Sequence, residues 1–211
     1  MIVTAIVRKR GRRQVDVFVD GELALALGTQ LAVERDVRPG RIVSPGELSA
    51  LAEEEAQRCA MESAVRLLSY RPRSEQELRQ RLARKSFAQP VIQRTLHRLR
   101  ELGYLDDNAF ARFWTESRQA SRPRAKRVVA GELRMRGIPR EAIEEATAAI
   151  EDEEEAYRAA GRRLRLLGGL EYQAFRERLG GFLTRRGFSY DVARRAIDRC
   201  WAELGAPATS E

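Results

Sequence analysis

The sequence predicts a mainly α protein: three tandem three-helix repeats, similar to helix-turn-helix units, form an elongated curved array after a small β-rich N-terminal region. Three observations predict this. Apolar residues alternate with a period of two within the first 27 residues, and from Gly46 onward they recur at helical spacings of three and four. Three later stretches also align with offsets of 51 and 50 residues. A period near 50 that contains only helices is typical of a repeat array.

Length and composition limit the class of protein. The chain has 211 residues, of which 43% are apolar and 33% charged, enough to bury a sizeable core. It lacks the apolar run of about 20 residues that a membrane span needs, and its start lacks the features of a signal peptide. Cys59 and Cys200 are too few for a disulfide scaffold. We therefore expect a soluble cytoplasmic protein in a reducing compartment, with no membrane partner.

Residues 1–45 are predicted to form the β-rich region. Val15, Val17 and Val19 alternate with other residues, Asp20-Gly21 suits a tight hairpin turn, and alternation resumes at Leu23. Residues 2–7 would form a preceding strand. The loop between them, residues 8–13, carries five positive charges, and it is either a phosphate contact or a solvated tip.

Residues 46–105 are predicted to form the first repeat. A helix from Gly46 to Ser69 is stopped by Pro72, and residues 74–77 carry a capping-box signature that begins a second helix ending near Ser86. Pro90 begins the third helix. Its predicted apolar stripe consists of Val91, Ile92, Leu96, Leu99 and Leu102.

Residues 106–150 and 151–204 are predicted to form the second and third repeats, and residues 205–211 a flexible tail. The second repeat begins at Asp106-Asp107 and the third at an acidic run, Asp152 to Glu155, which favours a helix N-terminus. Glycine marks the break before the last helix of each, at Gly137 and Gly187. The aligned core positions are Leu78, Val129 and Leu179; Leu82, Leu133 and Leu183; and Phe87, Ile138 and Phe188.

Charge is distributed in blocks. There are 39 basic and 31 acidic residues, for a net charge of +8. Residues 71–100 contain nine basic and two acidic side chains, residues 112–137 contain eight and two, and residues 140–155 contain one and eight. Arginine supplies 36 of the 39 basic residues. Either the protein uses bidentate contacts with phosphate or carboxylate, or a GC-rich genome favours arginine codons. The clustering indicates a polyanionic partner.

Residues for catalysis are not evident. There is no Gly-rich phosphate loop with a flanking lysine, and His97 is the only histidine. Trp114, Tyr104, Phe110 and Phe113 could stack on bases, but the helical spacing of Phe110, Phe113 and Trp114 favours a core role for these three. We predict no enzymatic activity, no metal and no cofactor.

Four tracts carry a family resemblance: SYRPRSEQELRQRLARKSF, LRELGYLDDNAFARFWTESR, SRPRAKRVVAGELRMRGI and FLTRRGFSYDVARRAI. Together they make residues 46–201 resemble the RecX family of recombination regulators. One departure is Ser86, where the family commonly has glycine. The resemblance implies a modulator of the RecA recombinase that binds the RecA–DNA filament. It also implies that such a protein restrains ATPase, coprotease and recombination activity in DNA repair and the SOS response.

The surface predicted to face this partner is basic. We expect a monomer that binds RecA filaments and both single- and double-stranded DNA without sequence preference. Reversing Arg124, Lys126 and Arg127 to glutamate should abolish inhibition and spare the fold. The alternative is a sequence-specific helix-turn-helix transcription regulator. The candidate residues at equivalent places in the first two repeats are Arg71, Arg73, Arg79, Arg81, Arg84, Arg122, Arg124, Lys126 and Arg127.

Overall fold

The computed structural model describes residues 1–8 and 13–205, and within them it confirms a mainly helical protein with a small N-terminal sheet. The strands are β1 (Val3–Arg8), β2 (Gln14–Val19) and β3 (Glu22–Gly28). The helices are α1 (Thr29–Glu34), α2 (Pro45–Tyr70), α3 (Glu75–Ala83), α4 (Gln89–Glu101), α5 (Asp107–Ser121), α6 (Lys126–Arg134), α7 (Arg140–Thr147), α8 (Asp152–Leu167), α9 (Tyr172–Arg185) and α10 (Tyr190–Gly205).

The described residues divide into two compact units. The first comprises Met1–Arg73 and Glu77–Leu105, and the second comprises Ser74–Gln76 and Asp106–Glu211. Two features predicted from the sequence fall partly outside the described residues. They are the tip of the basic loop, residues 9–12, and the C-terminal tail from residue 206 onward.

The sheet is antiparallel, with strand order β1-β2-β3. Its hairpin turn is the predicted Asp20-Gly21 pair, with φ of 50° and 90°, the left-handed values that a two-residue turn of this kind requires. Val15, Val17 and Val19 all point into the core, as the alternation predicted. The short helix α1 was not predicted, and it closes this core with Leu31 and Ala32.

Helix α2 belongs to two cores of the first unit. Its first half packs Leu51 against the sheet, and its second half packs Ala60 and Ala64 against α3 and α4. The helix begins with a capping box, in which the Ser44 side chain accepts from the Glu47 backbone N–H and the Glu47 side chain accepts from Ser44. The sheet is therefore docked on the first repeat through one continuous helix.

The middle helices of the three repeats bury the aligned positions. The six leucine and valine side chains at these positions are all fully buried: Leu78, Leu82, Val129, Leu133, Leu179 and Leu183. The predicted stripe of α4 needs one correction. Leu102 is 46% exposed because α4 ends at Glu101, and Leu105 instead reaches the core.

The turn after each middle helix contains one residue with left-handed backbone: Ser86 (φ 63°), Gly137 (φ 73°) and Gly187 (φ 92°). Within the second unit, a Cβ at Gly137 would overlap the Gln76 side chain, and one at Gly187 would overlap Val128. These two positions therefore require glycine both for conformation and for space.

Ser86→Gly is expected to stabilise the protein by about 1 kcal/mol, because glycine removes the steric cost of the left-handed conformation. Chemical denaturation measures the free energy of unfolding. Ser49→Gly, in the exposed face of α2, is the control and should destabilise by about 0.5 kcal/mol, since there glycine only adds backbone entropy. Equal shifts for both variants would contradict this account of the turn.

Candidate functional site

Two of the candidate residues, Arg71 and Arg73, lie in the turn before α3. Arg71 Nη1 donates to the Pro72 carbonyl at 2.8 Å and lies 3.0 Å from Glu77 Oε2. Arg73 Nε donates to the Leu67 carbonyl at 2.9 Å, and its side chain is only 10% exposed. Burial, followed by the charge of Arg71, lowers the pKa of Arg73. These two residues close the turn between α2 and α3.

The next three candidates lie along α3 and just beyond it. Arg81 is exposed on the last turn of the helix, and Arg79 is half-buried. Arg84 was predicted to lie on this helix, but α3 ends at Ala83 and Arg84 is exposed in the following turn. Neither Arg81 nor Arg84 forms an ion pair with the residues that the structure describes, so their guanidinium groups are available to a partner.

Arg124 is held by a buried carboxylate. Glu132, on α6, is 7% exposed and accepts from Arg124 Nη1 at 2.8 Å, Arg118 Nε at 2.7 Å and Trp114 Nε1 at 2.8 Å. The Arg136 and Arg118 guanidinium groups lie 3.6 and 4.3 Å from the centre of a Trp114 ring, in cation–π geometry. The indole N–H and the ring of Trp114 therefore already contact other residues of the fold.

Lys126 and Arg127 lie at the start of α6. The Lys126 backbone N–H donates to Asp152 Oδ1 at 2.7 Å, and its exposed ammonium lies 3.4 Å from the Ala148 carbonyl. Arg127 Nε donates to the Gly187 carbonyl at 2.6 Å. All three side chains make hydrogen bonds within the second unit, which argues against the expectation that glutamate at Arg124, Lys126 and Arg127 spares the fold.

A similar pair of hydrogen bonds occurs at two places in the second unit. The Glu75 N–H donates to Asp107 Oδ1 at 3.0 Å, as the Lys126 N–H does to Asp152. Ser74 Oγ donates to the Arg136 carbonyl at 2.8 Å, and the Ala125 N–H donates to the Arg186 carbonyl at 3.2 Å. In both places an aspartate at the start of one helix accepts from a backbone N–H, and the carbonyl of the residue before a left-handed glycine accepts from a neighbouring donor.

The acidic block is neutralised largely by its own surroundings. Glu153 pairs with Arg195 and Glu154 with Arg199, each at 2.9 Å, so that the first turn of α8 is tied to α10. Glu145 pairs with Arg112 at 3.1 Å. Other arginines of the same unit, among them Arg122 and Arg163, have no acidic partner among the residues that the structure describes.

Sequence reasoning did not select three further arginines of the second unit, Arg162, Arg163 and Arg186. Two signals could have indicated them. Residues 158–165 contain four arginines, and Arg186 precedes the left-handed glycine, as Arg136 does before Gly137. Arg122, a predicted candidate, is exposed beside them at the end of α5 and forms no ion pair with the residues described.

The two cysteine thiols are held in their protonated form. Burial raises the pKa of Cys59 and of Cys200 to about 11, and the nearby carboxylates of Glu55 and Glu203 add to the effect. His97 is 67% exposed beside Glu101, at 3.1 Å. Residues 1–8 and 13–205 contain no group of three histidine, cysteine or acidic side chains placed to hold a metal ion.

The aromatic candidates separate by burial. Phe110 is in the core, whereas Phe113 is 43% exposed, contrary to the core role that its spacing favoured. Tyr104 in the first unit is 63% exposed. Among residues 1–8 and 13–205, no helix is long and apolar enough to cross a membrane.

The fold and the surface together define a class of protein: a tandem three-helix-repeat protein that presents arginine to its surroundings. Family models for the first, second and third three-helix domains of RecX match residues 60–99, 106–146 and 151–197. The chain belongs to the RecX family of regulatory proteins.

Individual relatives agree with this assignment. The chain is similar to the regulatory protein RecX of Thermobifida fusca, with 34% identity over 84% of this chain and 95% of the relative. It is also 33% identical to that of Streptomyces coelicolor, over 67% of this chain and 77% of the relative. A crystal structure of a regulatory protein RecX, 20% identical, covers 93% of this chain and 98% of its own with a TM-score of 0.64, which supports the fold. RecX from Lactobacillus salivarius gives 0.58 at 21% identity, over 72% and 97% of the two chains.

Proposed function

We propose that this chain binds the RecA filament assembled on DNA and restrains its ATPase, coprotease and recombination activities, without catalysis of its own. Membership of the RecX regulatory family supports the proposal. The observation that carries it is a set of exposed cations on two repeats. Arg81 lies on the last turn of the middle helix of one repeat and Arg84 just beyond it, whereas Arg122 and Lys126 flank the start of the middle helix of the next.

Electrostatics explains why such a surface would bind a filament. The DNA of a RecA–DNA filament carries phosphate groups along its length, and guanidinium groups donate to phosphate, as to carboxylate, in bidentate geometry. Each exposed contact is weak, but contacts made simultaneously by several repeats reinforce one another through effective concentration. We propose that the protein acts as a cytoplasmic monomer and that its DNA contacts are independent of base sequence.

Co-sedimentation with RecA assembled on single-stranded DNA tests the proposal. The protein should pellet with the filament, and a variant with Arg81→Glu and Arg84→Glu should remain largely in the supernatant. A matched control with Arg66→Glu and Arg134→Glu has the same net charge and should pellet like the unmodified protein. Failure of the unmodified protein to pellet at low salt would contradict filament binding.

DNA binding should weaken steeply with salt and show no preference for sequence. Each neutralised phosphate on a single strand contributes about −0.7 to the slope of log affinity against log salt. Fluorescence anisotropy with unrelated oligonucleotides measures both properties. Affinity that is unchanged between low and physiological salt would contradict this prediction. A strong preference for one duplex would support the alternative, a helix-turn-helix transcription regulator.

A further inference from the structure

Five arginines of the second unit converge on the turn that joins α5 to α6. Two of them are fixed by backbone carbonyls. Arg186 Nη1 donates to the Pro123 carbonyl at 2.9 Å, and Arg162 donates through its two Nη atoms to the carbonyls of Ser121 and Ala120 at 2.6 and 2.7 Å. This arginine cluster consists of Arg122, Arg124, Arg162, Arg163 and Arg186.

Phe182 is a common platform for two members of the cluster. The guanidinium carbon of Arg163, from α8, lies 4.8 Å from the centre of the Phe182 ring, and that of Arg186, at the end of α9, lies 4.5 Å from it. Contacts with an aromatic ring and with carbonyls restrict how these long side chains move. The cluster is therefore partly organised before any ligand arrives, which lowers the entropy cost of binding.

The cluster has too little negative charge of its own. Glu132 pairs with Arg124, but the same carboxylate is shared with Arg118. Within the part of the chain that the structure describes, neither Arg122 nor Arg163 forms an ion pair. Burial, and then the charges of Arg124, Arg163, Arg122 and Arg162, lower the pKa of Arg186. A bound anion would relieve this repulsion.

We propose that the arginine cluster is a phosphate-binding site, with Arg122 and Arg163 as its free donors and Arg162 and Arg186 as donors oriented by the fold. A phosphate group has several oxygens in a tetrahedral arrangement and can accept from several guanidinium groups at once, whereas a carboxylate has only two oxygens. The inference rests on the proposed function for its source of phosphate, the backbone of the DNA in the filament. Free polyphosphate has the same chemistry and is tested separately.

The test compares two double variants of equal charge. One combines Arg122→Ala with Arg163→Ala. The control combines Arg134→Ala with Arg194→Ala, two exposed arginines of the same unit that form no ion pair with the described residues. All four side chains are exposed, and circular dichroism verifies that both variants fold like the unmodified chain.

Anisotropy of a labelled oligo(dT) of about 20 nucleotides gives the first comparison. The cluster variant should lose about tenfold or more in affinity, and its salt slope should fall by about 1.4, the contribution of two single-strand phosphate contacts. The control should keep its slope. Calorimetric titration with inorganic tripolyphosphate gives the second comparison, and tight binding lost only in the cluster variant would support a phosphate site filled by a free polyphosphate.

Equal behaviour of the two variants towards both ligands would overturn the proposal. If the cluster variant kept its affinity for both phosphate ligands but lost inhibition of RecA, the proposal would likewise be overturned, and the cluster would instead contact an acidic protein surface. A failure of the proposed function is distinguishable from these outcomes, because the unmodified protein would then leave the RecA ATPase unchanged whatever it does with oligo(dT).

Discussion

Leu82→Ala is expected to lower the free energy of unfolding by about 2–5 kcal/mol, because it removes a large side chain from a core position and leaves a cavity. Leu82 is fully buried between α2, α3 and α4. Its counterparts in the other repeats, Leu133 and Leu183, are also fully buried, so the same change there should cost a similar amount. Urea denaturation followed by helical circular dichroism measures the effect.

Gln80→Ala is the control for this change, since Gln80 is exposed on the same helix. It should alter the free energy of unfolding by less than about 0.5 kcal/mol. If Leu82→Ala and Gln80→Ala unfolded at the same denaturant concentration, the repeat alignment that places Leu82 with Leu133 and Leu183 would be wrong.

Glu132→Ala is expected to destabilise the protein by about 1–3 kcal/mol, the cost of leaving partly buried hydrogen-bond donors without their acceptor. The change would leave the Arg118 and Arg124 guanidinium groups without their carboxylate and the Trp114 indole N–H without its acceptor. Thermal and chemical denaturation both measure this loss.

Glu144→Ala is the matched control, because Glu144 pairs with Arg140 on an exposed face of α7. A surface pair of this kind contributes only about 0.3–0.5 kcal/mol. Similar stabilities for the Glu132 and Glu144 variants would show that the Glu132 carboxylate does not hold α5 and α6 together.

The repeat architecture could be predicted from the sequence because its signals are local. Leucines at helical spacing define the middle helices, and glycines at positions 137 and 187 mark turns with left-handed backbone. Ser86 adopts the same left-handed backbone conformation. Because serine does not favour that conformation, only the alignment of the repeats could place a turn there.

Helix α1, the burial of Glu132 and the roles of individual arginines could not be predicted, because short elements show no period and side-chain contacts join residues that are distant in the sequence. Helix α1 has six residues and no capping side chain, too little to show a period. The role of Glu132 arises from partners on α5 and on the turn before α6, and nothing in the charge pattern identified it as buried. The charge blocks indicated a basic surface, but the contacts separate Arg73, which closes a turn, from Arg81, which is exposed.

Titration of the protein into a RecA–single-stranded-DNA ATPase assay measures whether it restrains the filament. ATP hydrolysis should fall as protein is added, and the variant with Arg81→Glu and Arg84→Glu should inhibit much less than the equally charged Arg66→Glu, Arg134→Glu control. Unchanged ATP hydrolysis at every concentration of the unmodified protein, under low-salt conditions in which RecA coats the DNA, would contradict this restraint.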